Sequence, residues 1–560
     1  MNMRYKQVGI VLVALSLALA ACGGSRGILS SAEKTISVSI VYGSEKAEWL
    51  QPLVEQYNTE KHKTVHGETI VVTATAMGSI EAVNGILEQR IKPTVWSPAS
   101  SLYVPVANAE WRKTNSSDLV AGKPNDLVLS PVVIAMWKPM AEALGWPDKA
   151  LGWADIATLA TSDTGWEAYG YPEWGEFKFG HTHPNFSNSG LVAVLAQVYA
   201  GVQKQRGLTV QDVNKPELKA FVQNIQSSII HYGSSTGFFA DRMFERGPSY
   251  LSAAVLYENL VAAQESKRLS GQSQQLPVVA IYPKEGTFWA NHPYAILNAP
   301  WVTEEARAAA QDFEKFLLDK PQQLKAMELG FRPSDPSISL TTPLDAQHGV
   351  DPKQPQTVLE IPQAEVIQAA SQLWQQAKKP VDVVAVLDTS GSMGGDKITS
   401  ARNSLIEFVK LLDDNDRLSV ITFNSRVITL TPLSRVGDKR DEVVRRVSGV
   451  IEGGNTKLYD VTLQAYEALK QDGDPKRIRA IVLLTDGQDT DSQASLDQAI
   501  SAVSDVGEEG GASIKLFTIA FGSDADKDVL KRIAEPTGGK QYDSDPSTIK
   551  SIYEEIATFF

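Results

Sequence analysis

The segment Val381 to Met393, Val-Asp-Val-Val-Ala-Val-Leu-Asp-Thr-Ser-Gly-Ser-Met, constrains the fold of this 560-residue chain more than any other stretch. Its apolar run is nearly continuous and rich in Val, with Pro380 before it and a Gly/Ser turn after it. Such a run fits a strand buried on both faces of a parallel sheet. The carboxyl end of that strand opens into a crevice, and there Asp388, Ser390 and Ser392 alternate, with Gly391 between the serines to permit a sharp turn. Three hard oxygen donors on one tight loop point to a hard divalent cation. A calcium loop of the EF-hand type wants acidic or amide side chains at its third and fifth positions, which are serines here. A phosphatase working through an aspartyl phosphate wants a second carboxylate where Ser390 stands.

Asp-x-Ser-x-Ser followed by two further loops resembles the metal-ion-dependent adhesion site of von Willebrand factor type A domains. Gly453-Gly454-Asn455-Thr456-Lys457-Leu458-Tyr459-Asp460 resembles the second metal loop, with Thr456 in the ligand position, and the apolar run Ile478 to Thr485, ending in Asp486-Gly487, resembles the third. The resemblance implies that Ser390, Ser392 and Thr456 ligate directly, with Asp388 and Asp486 partly through water. From Val381 to Phe560 the chain alternates strands and helices as a doubly wound, Rossmann-like sheet does. This region contains neither His nor Cys, so any metal there is held by oxygen alone, which favours Mg2+, with Mn2+ or Ca2+ as alternatives. Two carboxylates at most leave such an ion short of negative charge. An acidic residue of a protein partner would supply it. Hydrolysis would need a base beside the ion; no His exists here, and Asp489 and Asp491 read as exposed loop acids. The expectation is a binding protein and not an enzyme.

The first 22 residues read as a signal peptide: Arg4 and Lys6, an apolar run from Val8 to Leu19, then Leu19-Ala20-Ala21-Cys22. The run is too short to span a membrane as a helix, and its end resembles a bacterial lipobox, which implies acylation of Cys22. Residues 23–33 then form a tether, and the expected location is the outer face of a bacterial membrane, held there by lipid. Cys22 is the sole cysteine, so no intramolecular disulfide exists, and a net charge of -13 argues against nucleic acid as a partner.

Residues 34–333 alternate strands and helices with Gly/Ser turns at strand ends, an α/β pattern. The segments Leu127 to Met136, Leu276 to Pro283 and Gly180 to Gly190 resemble those of a two-lobed, periplasmic-type solute-binding protein, in which extended segments cross between lobes that close on a ligand. This resemblance implies a small solute or oxyanion. It also leaves open the role of substrate-binding component of an ABC transporter, with the C-terminal domain as docking module for an accessory protein and an ABC permease as partner. By position at strand ends and helix starts, Ser44, Ser79, Ser97, Asn185, Ser187 and Tyr257 are ligand contacts, and for each serine a plain helix cap is the competing role. Trp96 lines a cleft or fills a core. The pair His181 and His183 raises the question of zinc, but with no Cys or third His nearby an exposed loop is the preferred reading. Residues 334–380 comprise a Pro-rich stretch, expected to be an extended linker, and a helix. All eleven Trp and all seven His precede Pro380, a shift that supports a separate domain from 381 to 560.

Overall fold

A computed structural model describes residues 34–474, 476–504, 514–537 and 539–559. The proposed leader, Cys22 and the tether lie outside the described residues. Among the described residues no helix is long and apolar enough to cross a membrane.

The first unit has two lobes, each built on one sheet. In the first lobe the strand order is Thr69–Ala76, Thr35–Tyr42, Val95–Ser97, Pro293–Ile296, Asn125–Asp126. The first three run parallel and the last two are antiparallel additions. The second lobe orders Trp289–Ala290, Val128–Trp137, Ala253–Tyr257, Phe179–Thr182 and Ile229–Gly233, with Val278–Ile281 also paired to the long strand. The chain therefore crosses between lobes at Leu127, as expected, and again around Asn291 and His292. Within the run Leu276 to Pro283, Val278–Ile281 is a fully buried strand of the second lobe. The crossing at Asn291 and His292 is a polar pair and carries no hydrophobic signal, and a third crossing returns the chain to the second lobe at Arg332.

The C-terminal unit is a six-stranded sheet in the order Val427–Arg435, Arg417–Phe423, Val381–Asp388, Ile478–Thr485, Lys515–Phe521, Gln541–Ser544. All neighbours are parallel except the first pair. Val381–Asp388 is buried along its whole length, which is why its sequence lacks the alternation of a half-exposed strand.

The Pro-rich stretch is not a free spacer. Leu344, Val350 and Leu359 are buried in the core of the second lobe, Ala280 N donates to Gly349 O at 2.8 Å, and Leu359 N donates to Thr287 O at 2.8 Å. Arg332 anchors its start, donating to Pro352 O and ion-pairing with buried Glu258 at 2.6 Å. Proline removes backbone donors and disrupts periodicity, so these irregularly spaced apolar residues look like linker in the sequence while packing as a strap. The helix Ala364–Ala377 follows and buries Trp374 against the second lobe, its Nε1 donating to Gln226 Oε1 at 3.2 Å.

Candidate metal centre and interlobe crevice

Register explains how the C-terminal site assembles. Leu387 pairs with Leu484 across parallel neighbours, so Asp388 and the Thr485-Asp486 pair emerge side by side at the carboxyl edge of the sheet. Thr485 Oγ1 donates to Asp388 Oδ2 at 2.5 Å, and Ser390 N donates to Asp388 Oδ1 at 2.7 Å. Ser390 Oγ lies 3.0 Å from Ser392 Oγ, which donates to Asp486 Oδ1 at 2.7 Å.

The second loop is tied to the first by two backbone bonds, Gly453 N to Thr389 O at 2.8 Å and Gly391 N to Gly454 O at 3.0 Å. Gly454 has φ +89°, and a Cβ there would fall 2.8 Å from Ser425 Oγ, so both conformation and space require glycine. Thr456 is buried and held by Thr490, whose Oγ1 accepts from Thr456 N at 3.0 Å. A Cβ placed on Gly487 would lie 3.7 Å from Ser392 Oγ and 3.8 Å from Thr456 Oγ1. The two hydroxyls thus flank a gap that only the absence of a side chain keeps clear.

Asp388, Ser390, Thr456 and Asp486 are all almost completely buried. Burial raises the Asp388 pKa to about 6, opposed by its hydrogen bonds from Thr485 and Ser390 and assisted by Asp486. Two sequestered carboxylates and three hydroxyls are hard oxygen donors, the ligand type that suits a hard divalent cation. Among the described residues no three His, Cys, Asp or Glu side chains gather as a metal-binding group; at this site most of the oxygen donors are hydroxyls.

Lys397 was not singled out in the sequence. Its Nζ sits 2.5 Å from Asp486 Oδ2 and 4.0 Å from Asp524. A lysine in the first turn of the helix Asp396–Leu411 opposes the helix dipole, and that misfit was a legible sign that it answers to a nearby anion. Asp489, expected as an exposed loop acid, instead accepts from Leu458 N at 2.8 Å and from Ser492 Oγ at 2.5 Å, capping the helix Leu458–Asp472.

In the first unit the lobes meet through one serine named in the sequence, Ser44, while Ser187 and Tyr257 make contacts within the second lobe. Ser44 Oγ hydrogen-bonds Ser235 Oγ and accepts from Gly237 N at 3.0 Å, both across the lobe boundary. Ser187 Oγ lies 3.3 Å from Thr236 Oγ1, and Tyr257 OH accepts from Asn188 at 3.2 Å. Ser79 does not cap its helix with its hydroxyl; it accepts from Ala99 N at 2.9 Å. Ser97 Oγ is buried without a hydrogen-bond partner. Asn185 lies apart from this group, in a groove between the second lobe and the C-terminal unit beside His183 and Trp374. Trp96 is core.

A buried Glu–Lys ion pair closed over by a histidine, which the sequence did not announce, sits behind Ser44. Lys46 Nζ is 2.8 Å from Glu45 Oε1 and 3.2 Å from His292 Nδ1. Burial pushes the Glu45 carboxyl up, but Lys46 and His292 outweigh it and hold its pKa at about 2. His181 and His183 are also buried, not on an exposed loop: His181 Nδ1 lies 2.8 Å from Thr182 O, and burial lowers its pKa to about 4. His183 is likewise shifted well down by burial and by Lys378.

The family model of the von Willebrand factor type A domain matches residues 382–555, and that of the bacterial extracellular solute-binding protein matches residues 38–332. Inter-alpha-trypsin inhibitor heavy chain H4 of Bos taurus is 28% identical over 190 residues, and its Homo sapiens counterpart 30% over 191; each match covers 32% of this chain and 20% of the relative. The chain thus spans about a fifth of the length of these relatives. A periplasmic thiamin binding protein aligns over 61% of this chain and 96% of its own, with 14% identity and a TM-score of 0.43.

Proposed function

From a chain that belongs to the bacterial extracellular solute-binding proteins and carries a C-terminal von Willebrand factor type A domain, we propose a tethered extracytoplasmic protein whose C-terminal domain grips a partner through a divalent cation. Both families are binding families and typically non-catalytic. In this reading Ser390, Ser392 and Thr456 hold the cation together with Asp388 and Asp486, and Mg2+ is the favoured ion. The cation supplies a Lewis-acidic position for one carboxylate of an acidic residue on a protein partner. Removal of that carboxylate from water is offset by a bond to metal, stronger than an exposed ion pair.

What supports this reading is the run of contacts from Asp388 through Ser390 and Ser392 to Asp486, with Ser392 Oγ and Thr456 Oγ1 both beside Gly487. Cys22 acylation and the domain limits 34–333, 334–380 and 381–560 belong to the same proposal, with the lipid keeping the protein at the outer membrane face. The first domain then senses or presents a small solute; service to an ABC permease is the second reading, favoured by the lobe-bridging contacts of Ser44. The test is capture of cell-surface proteins on the immobilised chain in Mg2+, against EDTA and against Asp388→Ala. Partners retained only by wild type in Mg2+ support the proposal, and retention indifferent to both changes contradicts it.

A further inference from the structure

The loops that follow the parallel strands of the two lobes meet at the carboxyl ends of those strands, where α/β folds place ligands. There each lobe supplies an oxygen to a helix start of the other. Ile80 N and Glu81 N, in the first turn of the first-lobe helix Ser79–Leu87, donate to Phe186 O of the second lobe at 3.1 and 3.0 Å. Gly237 N, in the first turn of the second-lobe helix Thr236–Arg246, donates to Ser44 Oγ of the first lobe at 3.0 Å. First-turn amides have no partner within their own helix, and such a helix start is where an oxygen of a solute would otherwise bind. These amides are taken by the protein itself. Two glycines set the clearance. A Cβ on Gly78 would fall 2.6 Å from Phe186 O and 2.8 Å from Ser234 O, and one on Gly237 would fall 2.8 Å from Ser44 Oγ and 2.9 Å from Glu45 N, all of them atoms of the opposite lobe. Gly78 has φ -58° and Gly237 is helical, so only the approach of the other lobe excludes a side chain at either position. Backbone meets backbone at these points, with no layer left for a solute.

We propose that these reciprocal caps latch the lobes shut on each other without a solute, so that the first domain rests as a closed platform for the C-terminal unit. Asn84, on the same helix as Ile80 and Glu81, lines a groove with Phe186 and with Ala557 of the C-terminal unit. The latch therefore lies where both lobes and the C-terminal unit meet. The proposal rests on the reading of residues 38–332 as a two-lobed solute-binding domain, and of the roles open to that domain it assigns presentation. Delivery of a solute would require the latch to release first.

The test is hydrogen exchange of the full chain, resolved to single amides by mass spectrometry, on protein whose native mass shows no bound small molecule. Exchange at Ile80, Glu81 and Gly237 reports the latch alone, because no bond within their own helices protects them. In wild type these amides are expected to be protected at least about tenfold more than that of Glu217, an exposed first-turn residue of the helix Pro216–Gln226. Gly237→Ala, which collides only with the first lobe, is expected to lower protection at Ile80 and Glu81 about tenfold, although they lie across the boundary. Ser44→Ala adds no bulk and is expected to lower protection at Gly237 while the buried strand Val128–Trp137 stays protected. Wild-type protection no greater than that of Glu217, or no effect of either variant, would overturn the latch and leave the two-lobed domain standing. Rapid exchange along Val128–Trp137 in wild type would instead contradict the two-lobed domain itself.

Discussion

The behaviour of single residues follows from charge more than from packing. Asp388 titrates near 6 in the absence of a cation because it is buried, so the neutral acid is the form the fold favours. The stability it contributes is complete below the ordinary carboxylate range and is lost as pH rises through about 6, on the order of 2–3 kcal/mol in total. Differential scanning calorimetry in EDTA is therefore expected to show Asp388→Asn gaining stability over wild type at pH 7.5 and losing that advantage at pH 4. With Mg2+ the order reverses at pH 7.5, and the Mg2+-induced rise in Tm shrinks as pH falls from 7 to 5, because a protonated Asp388 no longer binds metal. Lys397 acts as a resident counter-charge for Asp486. Its replacement in Lys397→Met is expected to tighten Mg2+ about fivefold or more, by removing like charge, while lowering the Tm of the cation-free protein, where Asp486 loses its partner. Asp388, Ser390 and Ser392 were legible because loop, strand and spacing coincide in one short segment. Lys46 was not: an adjacent Glu-Lys pair after a Gly-Ser turn looks solvated, and only the fold reveals that His292, 246 residues away, encloses it.

At the scale of elements, the loops position the donors and glycines set the clearances. Gly487→Val is expected to leave the cation-free Tm within a few degrees, since the nearest atoms to its Cβ lie at ordinary contact distance. It should nonetheless weaken Mg2+ binding more than tenfold, because a branched side chain intrudes between Ser392 and Thr456. Gly190→Ala tests the opposite case. Its Cβ would fall 2.0 Å from Thr182 O, where the helix Asn188–Gly201 starts against the strand Phe179–Thr182, and a loss of about 2–4 kcal/mol in urea unfolding is expected. Strand runs such as Val381–Asp388 were readable because burial on both faces leaves an uninterrupted apolar signature. The strap after Pro333 was not, because Leu344, Val350 and Leu359 follow no helical or strand period and dock by shape.

Across the whole molecule the two units share a joint. Trp374 packs edge-on to His183 and Tyr232, Tyr232 N donates to Phe559 O at 3.2 Å, and Arg242 lies over the Phe559 ring at 5.4 Å. One apolar cluster runs through Tyr232, Trp374, Phe408 and Phe559. The composition break at Pro380 marks a change of unit but could not disclose this joint, since it is assembled from residues more than 140 positions apart. Trp374→Ala is expected to cost about 3–5 kcal/mol and to split the calorimetric transition of the full chain in two, one for each unit; a single unshifted transition would show that the units do not stabilise each other. In the proposed function, hydroxyls and carboxylates at the carboxyl edge of the C-terminal sheet hold one divalent cation. Isothermal titration of the full chain with MgCl2 at pH 7.5 tests it most directly: one saturable site per chain in wild type, absent in Asp388→Asn and in Thr456→Val, is the predicted result. Equal binding by wild type and both variants, or none by wild type, would contradict it.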